Sequence, residues 1–255
     1  MPRARNNRYS MFASISLPIA VLALLQAPLA AEDNVPPEGY RALFNGKDLT
    51  GWRGLPLKEN MKDPSKPGPA LTMPERLSAA PDVLAAAQKR GDESAKAHWS
   101  VKDGVLLFDG QGQNLLTDKD YGDFELYVDW KIEKDGDSGI YLRGSPQIQI
   151  WDPDLQLKKS NERIGSGGIY NNKNNPSKPT KVADKPIGEW NTFWIKMVGD
   201  KVTVKLNGET VVDNVTMENY WDKDRLAPIY PRGTIELQNH GNTLYFKNIY
   251  VKELN

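Results

Sequence analysis

Cysteine is absent from the 255-residue sequence, and histidine occurs only twice, as His98 and His240. The lack of cysteine excludes disulfides, thiolate metal ligands, iron–sulfur clusters and cysteine nucleophiles. Two histidines are too few for a three-histidine zinc site. Acid–base chemistry in this protein must therefore use carboxylates, tyrosines, lysines or these two imidazoles.

An excess of one charge is also lacking, since 33 basic residues balance 33 acidic ones. Proteins that neutralise nucleic-acid phosphates need a basic excess, so we expect no nucleic-acid partner. The sequence does contain 7 Trp, 10 Tyr and 6 Phe, which is typical of a folded core. Its length allows one large domain or two small ones.

The first 31 residues have the layout of a secretory signal peptide. Three arginines precede a mainly apolar stretch over residues 11–31, which ends in small residues and is followed at once by acidic ones. A membrane anchor is the alternative, but Pro18, Gln26 and Pro28 leave the unbroken apolar part shorter than the ~20 residues of a spanning helix. We therefore expect residues 1–31 to be cleaved, the protein to be periplasmic or secreted from a bacterium, and no membrane span to remain.

Alternating apolar and polar residues predict β-strands along most of the remaining chain. The clearest case is residues 124–132, where Phe, Leu, Val, Trp and Ile occupy every second position. From Trp99 onward, short strands are separated by Gly, Asn and Asp turns, with no helical pattern that would support a parallel sheet. We predict a single domain over residues 36–255 with an all-β fold, a jelly roll of two antiparallel sheets.

A proline-rich insertion interrupts the strand pattern over residues 55–97. Its prolines exclude an interior strand between residues 55 and 81. Residues 81–91 indicate one short helix, with an acidic first turn, an alanine-rich middle and a Lys-Arg-Gly end. A connection of this length either covers another part of the molecule or is partly mobile.

Strand alternation also predicts which side chains point away from the core. Over residues 124–132, 139–152 and 234–240, one face of each strand is apolar and the other carries mainly polar residues, with some aromatic ones. The second kind includes Asp129, Tyr141, Arg143, Gln147, Gln149, Trp151, Gln238 and His240. Aromatic rings stack on the C–H faces of sugars, and planar amides, guanidinium groups and carboxylates bind hydroxyls. We therefore expect a sugar-binding surface on one sheet, whereas outward charges such as Glu236 are expected on any solvated face.

The order of short motifs along the chain resembles that of the DUF1080 family, the 3-keto-disaccharide hydrolase or 3-keto-glycoside lyase/hydratase domain. The matching segments are Leu-Phe-Asn-Gly-Lys-Asp-Leu-Thr-Gly-Trp (43–52), Val-Lys-Asp-Gly-Val-Leu (101–106), Tyr-Gly-Asp-Phe-Glu-Leu (121–126), Asp-Ser-Gly-Ile-Tyr-Leu-Arg (137–143), Gln-Ile-Gln-Ile-Trp-Asp (147–152), Gly-Glu-Trp-Asn (188–191), Leu-Asn-Gly (206–208), Leu-Gln-Asn-His-Gly (237–241) and Phe-Lys-Asn-Ile (246–249). The resemblance covers nearly all of residues 39–254 outside the insertion. It implies a concanavalin-like jelly roll and an exported enzyme of glycan breakdown that acts on glycosides oxidised at C3.

Two positions depart from the pattern of that family. Many members carry Glu where Gln147 stands and Asn where Asp137 stands. The change from Glu to Gln removes one carboxylate that could act as a base or a metal ligand.

The implied reaction begins with removal of the C2 proton, which a ketone at C3 makes acidic. Collapse of the resulting enolate expels the C1 substituent, and hydration of the 2-hydroxy-glucal releases 3-ketoglucose. We hypothesise that Asp129 or His240 is the base, with Arg143, Gln149 and Gln238 holding the substrate.

Two further roles follow from the same scheme. Tyr141 and Trp151 would form a stacking wall for the sugar ring. A divalent metal ion would find oxygen and imidazole ligands in Asp129, Gln149, Asp152 and His240, although nothing in their spacing requires one.

Two other functions fit the sequence. A carbohydrate-binding module without catalysis would use the same fold and surface. A conventional glycoside hydrolase would need two carboxylates about 5–9.5 Å apart. Glu125 and Asp129 share a strand face, but four residues along a strand span ~13 Å, so they cannot form that pair by themselves.

Overall fold

The computed structural model describes Met1 and residues 32–63 and 66–254. The predicted signal peptide therefore lies outside the described residues except for Met1. Residues Glu32–Asn255 belong to one compact unit. In the described part of the chain, no helix is both long and apolar enough to span a membrane.

Strands dominate the described residues. They are β1 (Arg41–Ala42), β2 (Trp52–Gly54), β3 (Trp99–Lys102), β4 (Val105–Asp109), β5 (Leu115–Thr117), β6 (Phe124–Ile132), β7 (Asp137–Leu142), β8 (Ser145–Trp151), β9 (Asn191–Val198), β10 (Lys201–Leu206), β11 (Glu209–Thr216), β12 (Glu236–Leu237) and β13 (Thr243–Glu253). Three helices are described with them, namely α1 (Met73–Ser78), α2 (Pro81–His98) and α3 (Pro153–Ser160).

The strands form two antiparallel sheets. The larger has eight strands in the order β11-β10-β9-β6-β13-β4-β3, with β1 paired to β13. The smaller has five strands in the order β2-β5-β12-β7-β8. The predicted all-β fold, a two-sheet antiparallel jelly roll, is confirmed.

The core lies between the two sheets, as the alternation in β6 predicts. Every second residue of β6, from Phe124 to Ile132, is buried, and the residues between them are partly exposed. Ile140 of β7 and Ile148 of β8 are fully buried and belong to the same hydrophobic cluster. This burial fixes the opposite, polar faces of β7 and β8 on the outside of the smaller sheet.

The insertion is more regular than the sequence suggests. The predicted short helix does not end at Gly91, because α2 continues to His98. Gly91 allows α2 to lie close to the backbone of Leu55, because a Cβ at this position would be 2.4 Å from the Leu55 carbonyl oxygen. Helix α1, which the sequence analysis missed, begins with a capping box in which Thr72 and Glu75 bond each other's backbone amides.

Helices α1 and α2 lie against the smaller sheet. Gly54 in β2 donates its N–H to Asp92 (3.0 Å) and accepts from the Gln88 amide (2.7 Å). Arg76 of α1 forms a 2.7 Å ion pair with Glu236 of β12, and both side chains are largely buried. Glu236 is therefore not the solvated surface residue that strand alternation alone indicates.

Candidate functional site

A cavity of about 380 Å³ lies on the outer face of the smaller sheet. Strands β7 and β8 and the segment after β12 form its floor, whereas α3 and the following loop form its walls. Its lining comprises Asp137, Gln147, Gln149, Trp151, Gln156, Lys159, Ser160, Ile164, Gly168, Tyr170, Ser177, Lys178, Gln238 and His240. The volume is in the range of small-ligand pockets.

Strand register explains why these side chains meet. Across β7 and β8, Gly139 lies opposite Gln149, and Tyr141 lies opposite Gln147, so their side chains share one face of the sheet. Gly139 leaves room for the glutamines, because a Cβ at that position would lie 2.2 Å from Nε2 of Gln147. Gly139 therefore makes room for a layer of amide side chains, which a larger residue at this position would displace.

Three glutamine side chains form a hydrogen-bonded row on the cavity floor. The Nε2 of Gln147 donates to Oε1 of Gln149 (2.9 Å) and to Oε1 of Gln238 (2.8 Å). Gln149 donates in turn to Oδ1 of Asp137 (2.7 Å), and Gln238 donates to the hydroxyl of Tyr141 (3.1 Å). Gln147 and Gln149 are each 3% exposed, so the row is held rigidly beneath the opening.

Tyr141 stays protonated in this setting. Burial raises the pKa of its hydroxyl well above the usual range, and the negative charge of Glu236 adds to the shift. A neutral phenol at neutral pH is a hydrogen-bonding group and not a base. Tyr141 therefore anchors one end of the glutamine row.

An acid–imidazole pair occupies the other end. Nδ1 of His240 lies 3.7 Å from Oδ2 of Asp137, and the His240 side chain is 57% exposed. The other carboxylate oxygen of Asp137 accepts from Gln149. The imidazole of His240 is therefore open to the cavity and lies beside a carboxylate that Gln149 holds in place.

Two aromatic rings form part of the wall. The indole N–H of Trp151 donates to the carbonyls of Ile164 and Gly165, both at 2.9 Å. Tyr170 meets the Trp151 ring edge-to-face with 5.8 Å between centroids and is 59% exposed. This fixed aromatic corner is of the kind that packs against sugar rings.

Comparison with known proteins assigns this architecture to a family. The 3-keto-alpha-glucoside-1,2-lyase-like domain matches residues 39–252. The chain belongs to this family. The resemblance seen in the sequence motifs is thereby confirmed, and the lyase-like family relationship supports a carbohydrate-active function.

Individual similar proteins are consistent with this family assignment. A 3-keto-disaccharide hydrolase of Bacteroides thetaiotaomicron is 25% identical over 300 aligned residues, which cover 97% of this chain and 88% of that protein. A crystal structure assigned as a glycosyl hydrolase from Parabacteroides distasonis superposes with a TM-score of 0.61 at 25% identity, over 88% of this chain and all of that one. A second structure from the same organism gives a TM-score of 0.57 at 23% identity, over 90% of this chain and 93% of that one, and supports the fold.

The structure does not bring Asp129 to this cavity. Asp129 lies in β6 of the larger sheet, where its oxygens accept from Thr192 (2.5 Å) and Asn248 (2.7 Å). The alternation of apolar and polar residues correctly predicted that Asp129 points away from the core. It does not predict which of the two sheets the strand joins. The expectation that Asp129 shares a surface with Gln149 and His240 is wrong.

Arg143 is also placed elsewhere. Strand β7 ends at Leu142, and Arg143 has a φ of 55°, which breaks the alternation that would align it with Tyr141. Its guanidinium is buried, pairs with Asp123 at 2.6 Å and donates to the carbonyl oxygens of Gly122 and Gly199. Arg143 therefore holds loops together and is not in the cavity.

The predicted metal ligands do not converge. Asp152 is the N-cap of α3, and its two oxygens accept backbone N–H groups of Asp154 (2.8 Å) and Asp135 (3.0 Å). Asp129 is on the other sheet. Within the described residues, no group of three or more His, Asp or Glu side chains is arranged to hold a metal ion. The residues present do not fit the proposed metal site.

Several cavity residues were missed by the sequence analysis. Asp137 carried a signal, since it shares a strand face with Tyr141, yet it was considered only as a departure from the family pattern. Gln147 was predicted to lie on the polar surface but was given no role in the site. Lys159 of α3 and Tyr170 come from segments without strand periodicity, so no pattern in the sequence marked them. Trp151, Gln149, Gln238 and His240 do line the cavity, and Tyr141 bonds to its floor.

Proposed function

We propose that this protein cleaves 3-keto-glycosides in the cavity above the glutamine row, by elimination of the C1 substituent and hydration of the 2-hydroxy-glucal. One observation carries the proposal: the rigid amide layer ends at the accessible Asp137–His240 pair. An amide layer suits the recognition of sugar hydroxyls, and an imidazole suits removal of an acidic proton. The name of the Bacteroides relative supports the same substrate class.

The proposed elimination uses His240 as the base. The imidazole takes the C2 proton, and the C2–H electron pair moves into an enolate on the C3 oxygen. The enolate then collapses, the bond from C1 to its substituent breaks, and the leaving oxygen takes a proton from the His240 imidazolium, which returns His240 to its neutral form. Water adds to the 2-hydroxy-glucal in the second stage, which restores the ketosugar.

Other cavity groups have supporting roles in this scheme. Asp137 favours the imidazolium that forms when His240 accepts the proton. The ammonium group of Lys159 lines the same cavity and supplies positive charge for the enolate oxygen. Gln149 and Gln238 bind ring hydroxyls, and Trp151 with Tyr170 contacts the apolar face of the sugar.

Conventional hydrolysis by a pair of carboxylates is less well supported. Among the described residues lining the cavity, Asp137 is the one carboxylate. Both standard glycosidase mechanisms need two acidic groups facing the same bond. Elimination from a 3-keto sugar needs a single modest base, because the substrate carbonyl carries the developing charge.

We also propose that the protein works after export, on glycosides in the periplasm or outside the cell. The basic, apolar and small-residue order of residues 1–31 supports this localisation. Amino-terminal sequencing of the mature protein would test it, since a mature form that begins at residue 1 would contradict cleavage.

Turnover of a 3-keto-glucoside tests the proposed activity. We expect the purified protein to release a nitrophenyl group from nitrophenyl 3-keto-glucoside and to leave the unoxidised glucoside intact. In D₂O, the recovered 3-ketoglucose is expected to carry deuterium at C2. Binding of unoxidised glycans without turnover of either substrate would instead identify a carbohydrate-binding module.

A further inference from the structure

A second cavity, of about 430 Å³, lies between the inserted helices and the edge of the smaller sheet. It is separate from the glutamine row, since no residue lines both. Two arginines contribute to its lining, Arg53 of β2 and Arg76 of α1. Most of the other lining residues are apolar, including Pro56, Leu77 and Leu84.

The two arginines have unsatisfied donors. Nε of Arg53 and Nε of Arg76 are each buried without a hydrogen-bond partner. Arg76 forms its ion pair with Glu236 through a different nitrogen, Nη2. Arg53 is partly exposed, and its guanidinium makes no hydrogen bond or ion pair with any residue that the structure describes. A guanidinium at a cavity wall that no protein group engages is available to an anion.

The cavity wall is preorganised. A Cβ on Gly54 would lie 1.8 Å from the carbonyl oxygen of Gly91, so α2 rests on β2 with backbone against backbone. Gln88, which lines the cavity, bonds both Gly54 and Asp92. A ligand entering the cavity beside this contact therefore meets a wall of α2 and β2 that is already in place, which limits the entropy lost on binding.

Charge and shape together define the ligand class. Asp120 is the carboxylate in the lining; it is exposed and forms no ion pair with Arg53. The lining is thus mainly apolar, with one guanidinium that no described residue engages and a second that is paired with Glu236. A guanidinium binds a planar carboxylate through two parallel hydrogen bonds, whereas apolar walls favour a ring or hydrocarbon body.

We propose that this second cavity binds a small organic acid, with its carboxylate on Arg53 and Arg76 and its apolar body against α1 and α2. The site is independent of turnover in the first cavity. Replacing Arg53 removes no side-chain bond of the described structure, so Arg53→Gln is a clean test. Arg163→Gln is the matched control, because Arg163 is half exposed and pairs with Asp154 outside this cavity.

Calorimetric titration with benzoate tests the proposal. We expect wild-type protein and Arg163→Gln to bind benzoate with a Kd of about 1 mM or tighter. Arg53→Gln should bind benzoate at least about tenfold more weakly than wild type. The affinity of Arg53→Lys should be intermediate, because lysine keeps the positive charge but lacks the two parallel N–H donors of a guanidinium. Benzamide, the neutral analogue, should bind at least about tenfold more weakly than benzoate.

Three results would overturn the proposal. The first is no benzoate binding by wild-type protein. The second is equal binding of benzoate by Arg53→Gln, or of benzamide by wild type, which would show an apolar pocket without anion recognition. The third is equal or tighter binding of inorganic phosphate at Arg53, which would show a simple oxyanion site. Equal melting temperatures of wild type and Arg53→Gln would exclude misfolding as the cause of a lost affinity.

Discussion

The outer faces of the two sheets are built from similar residues but differ in how those residues are used. On the larger sheet, Lys131 lies 4.3 Å from the ring centre of Tyr245 and 5.2 Å from that of Trp190. Asp129 on the same face is held by Thr192 and Asn248. On this face, lysine ammonium groups lie over aromatic rings, and a carboxylate accepts hydrogen bonds from neutral donors. These polar groups therefore have partners within the same face.

The smaller sheet buries its outer polar groups instead. Gln147, Gln149 and Glu236 are each at most 3% exposed because α3 and the insertion lie over this face. Residue composition alone did not separate the two faces in the sequence. The difference shows that a sheet face becomes a binding site when other segments enclose it, since enclosure removes water and strengthens each polar contact.

The largest contrast between the faces is expected in turnover. His240→Ala should reduce 3-keto-glucoside cleavage by about 10²–10⁴-fold, the usual contribution of a general base. Asp129→Asn, a matched change on the other sheet, should leave kcat/KM within about twofold. Initial rates of aglycone release measure both. Equal losses of kcat/KM in the two variants would contradict the proposal that the smaller sheet alone carries the active site.

The enclosure of the smaller sheet is expected to depend on one backbone contact. Gly54→Ala should destabilise the protein by about 3 kcal/mol, because the new methyl group meets the backbone of Gly91 and neither side can move easily. Gly188→Ala is the control for a glycine change: nothing lies within 4 Å of a Cβ there, although its φ of 88° adds local strain. Urea unfolding and limited proteolysis within residues 55–97 would detect loosening. Unchanged cleavage there would contradict tight docking.

Alkaline pH should lower the free energy of unfolding through one partly buried tyrosine near each face. Burial, with a hydrogen bond to Glu125, raises the pKa of Tyr40 on the larger sheet to about 12. The folded state thus keeps a proton that the unfolded state loses above about pH 10, so the stabilisation is complete below pH 10 and is lost as pH rises through 12. Tyr40→Phe should reduce the alkaline loss of stability by about 1 kcal/mol after solvent screening.

Tyr141 provides the corresponding test on the smaller sheet. Its pKa is raised mainly by burial, so Tyr141→Phe should also flatten the alkaline limb of the stability curve. Urea unfolding at pH 8, 10 and 11 measures the slope for each variant. A steeper fall in either Tyr→Phe variant would show that the sign of the shift is wrong.

The smallest effect is expected in acid, at the start of α1. A hydrogen bond from Lys58, with another from the Thr72 backbone, lowers the pKa of Glu75 to about 2. This stabilisation is present above pH 4.5 and is lost as pH falls through 2. Because the Glu75 side chain is 41% exposed, Glu75→Gln should cost less than about 1 kcal/mol at pH 7 and nothing near pH 2. Thermal unfolding across this range would show whether the two proteins converge.

The fold was largely predictable because its information is local. The strict alternation from Phe124 to Ile132 requires one buried face, and several such strands require two packed sheets. The strand faces of Gln149 and Trp151 followed from the same rule. The long α2 was cut short in the prediction because Gly91 resembles a helix end when its contact with Leu55 is unknown.

The site was only partly predictable because its assembly is not local. Alternation placed Asp129 and His240 on outward faces, but only the pairing of β6 with β13 assigns Asp129 to the other sheet. The left-handed backbone of Arg143 depends on loops that its side chain binds. Lys159 reaches the cavity from the short helix α3 and Tyr170 from the loop that follows it, and strand periodicity describes neither segment.

The contact between α2 and β2 has a consequence for solubility. Strand β2 is one of the two edge strands of the smaller sheet, and free peptide groups at an edge can recruit strands of other molecules. Gln88 and Asp92 already occupy the outward amide and carbonyl of Gly54. The inserted helix thus occupies the position of a missing neighbouring strand, and a variant shortened through α2 would expose a template for self-association.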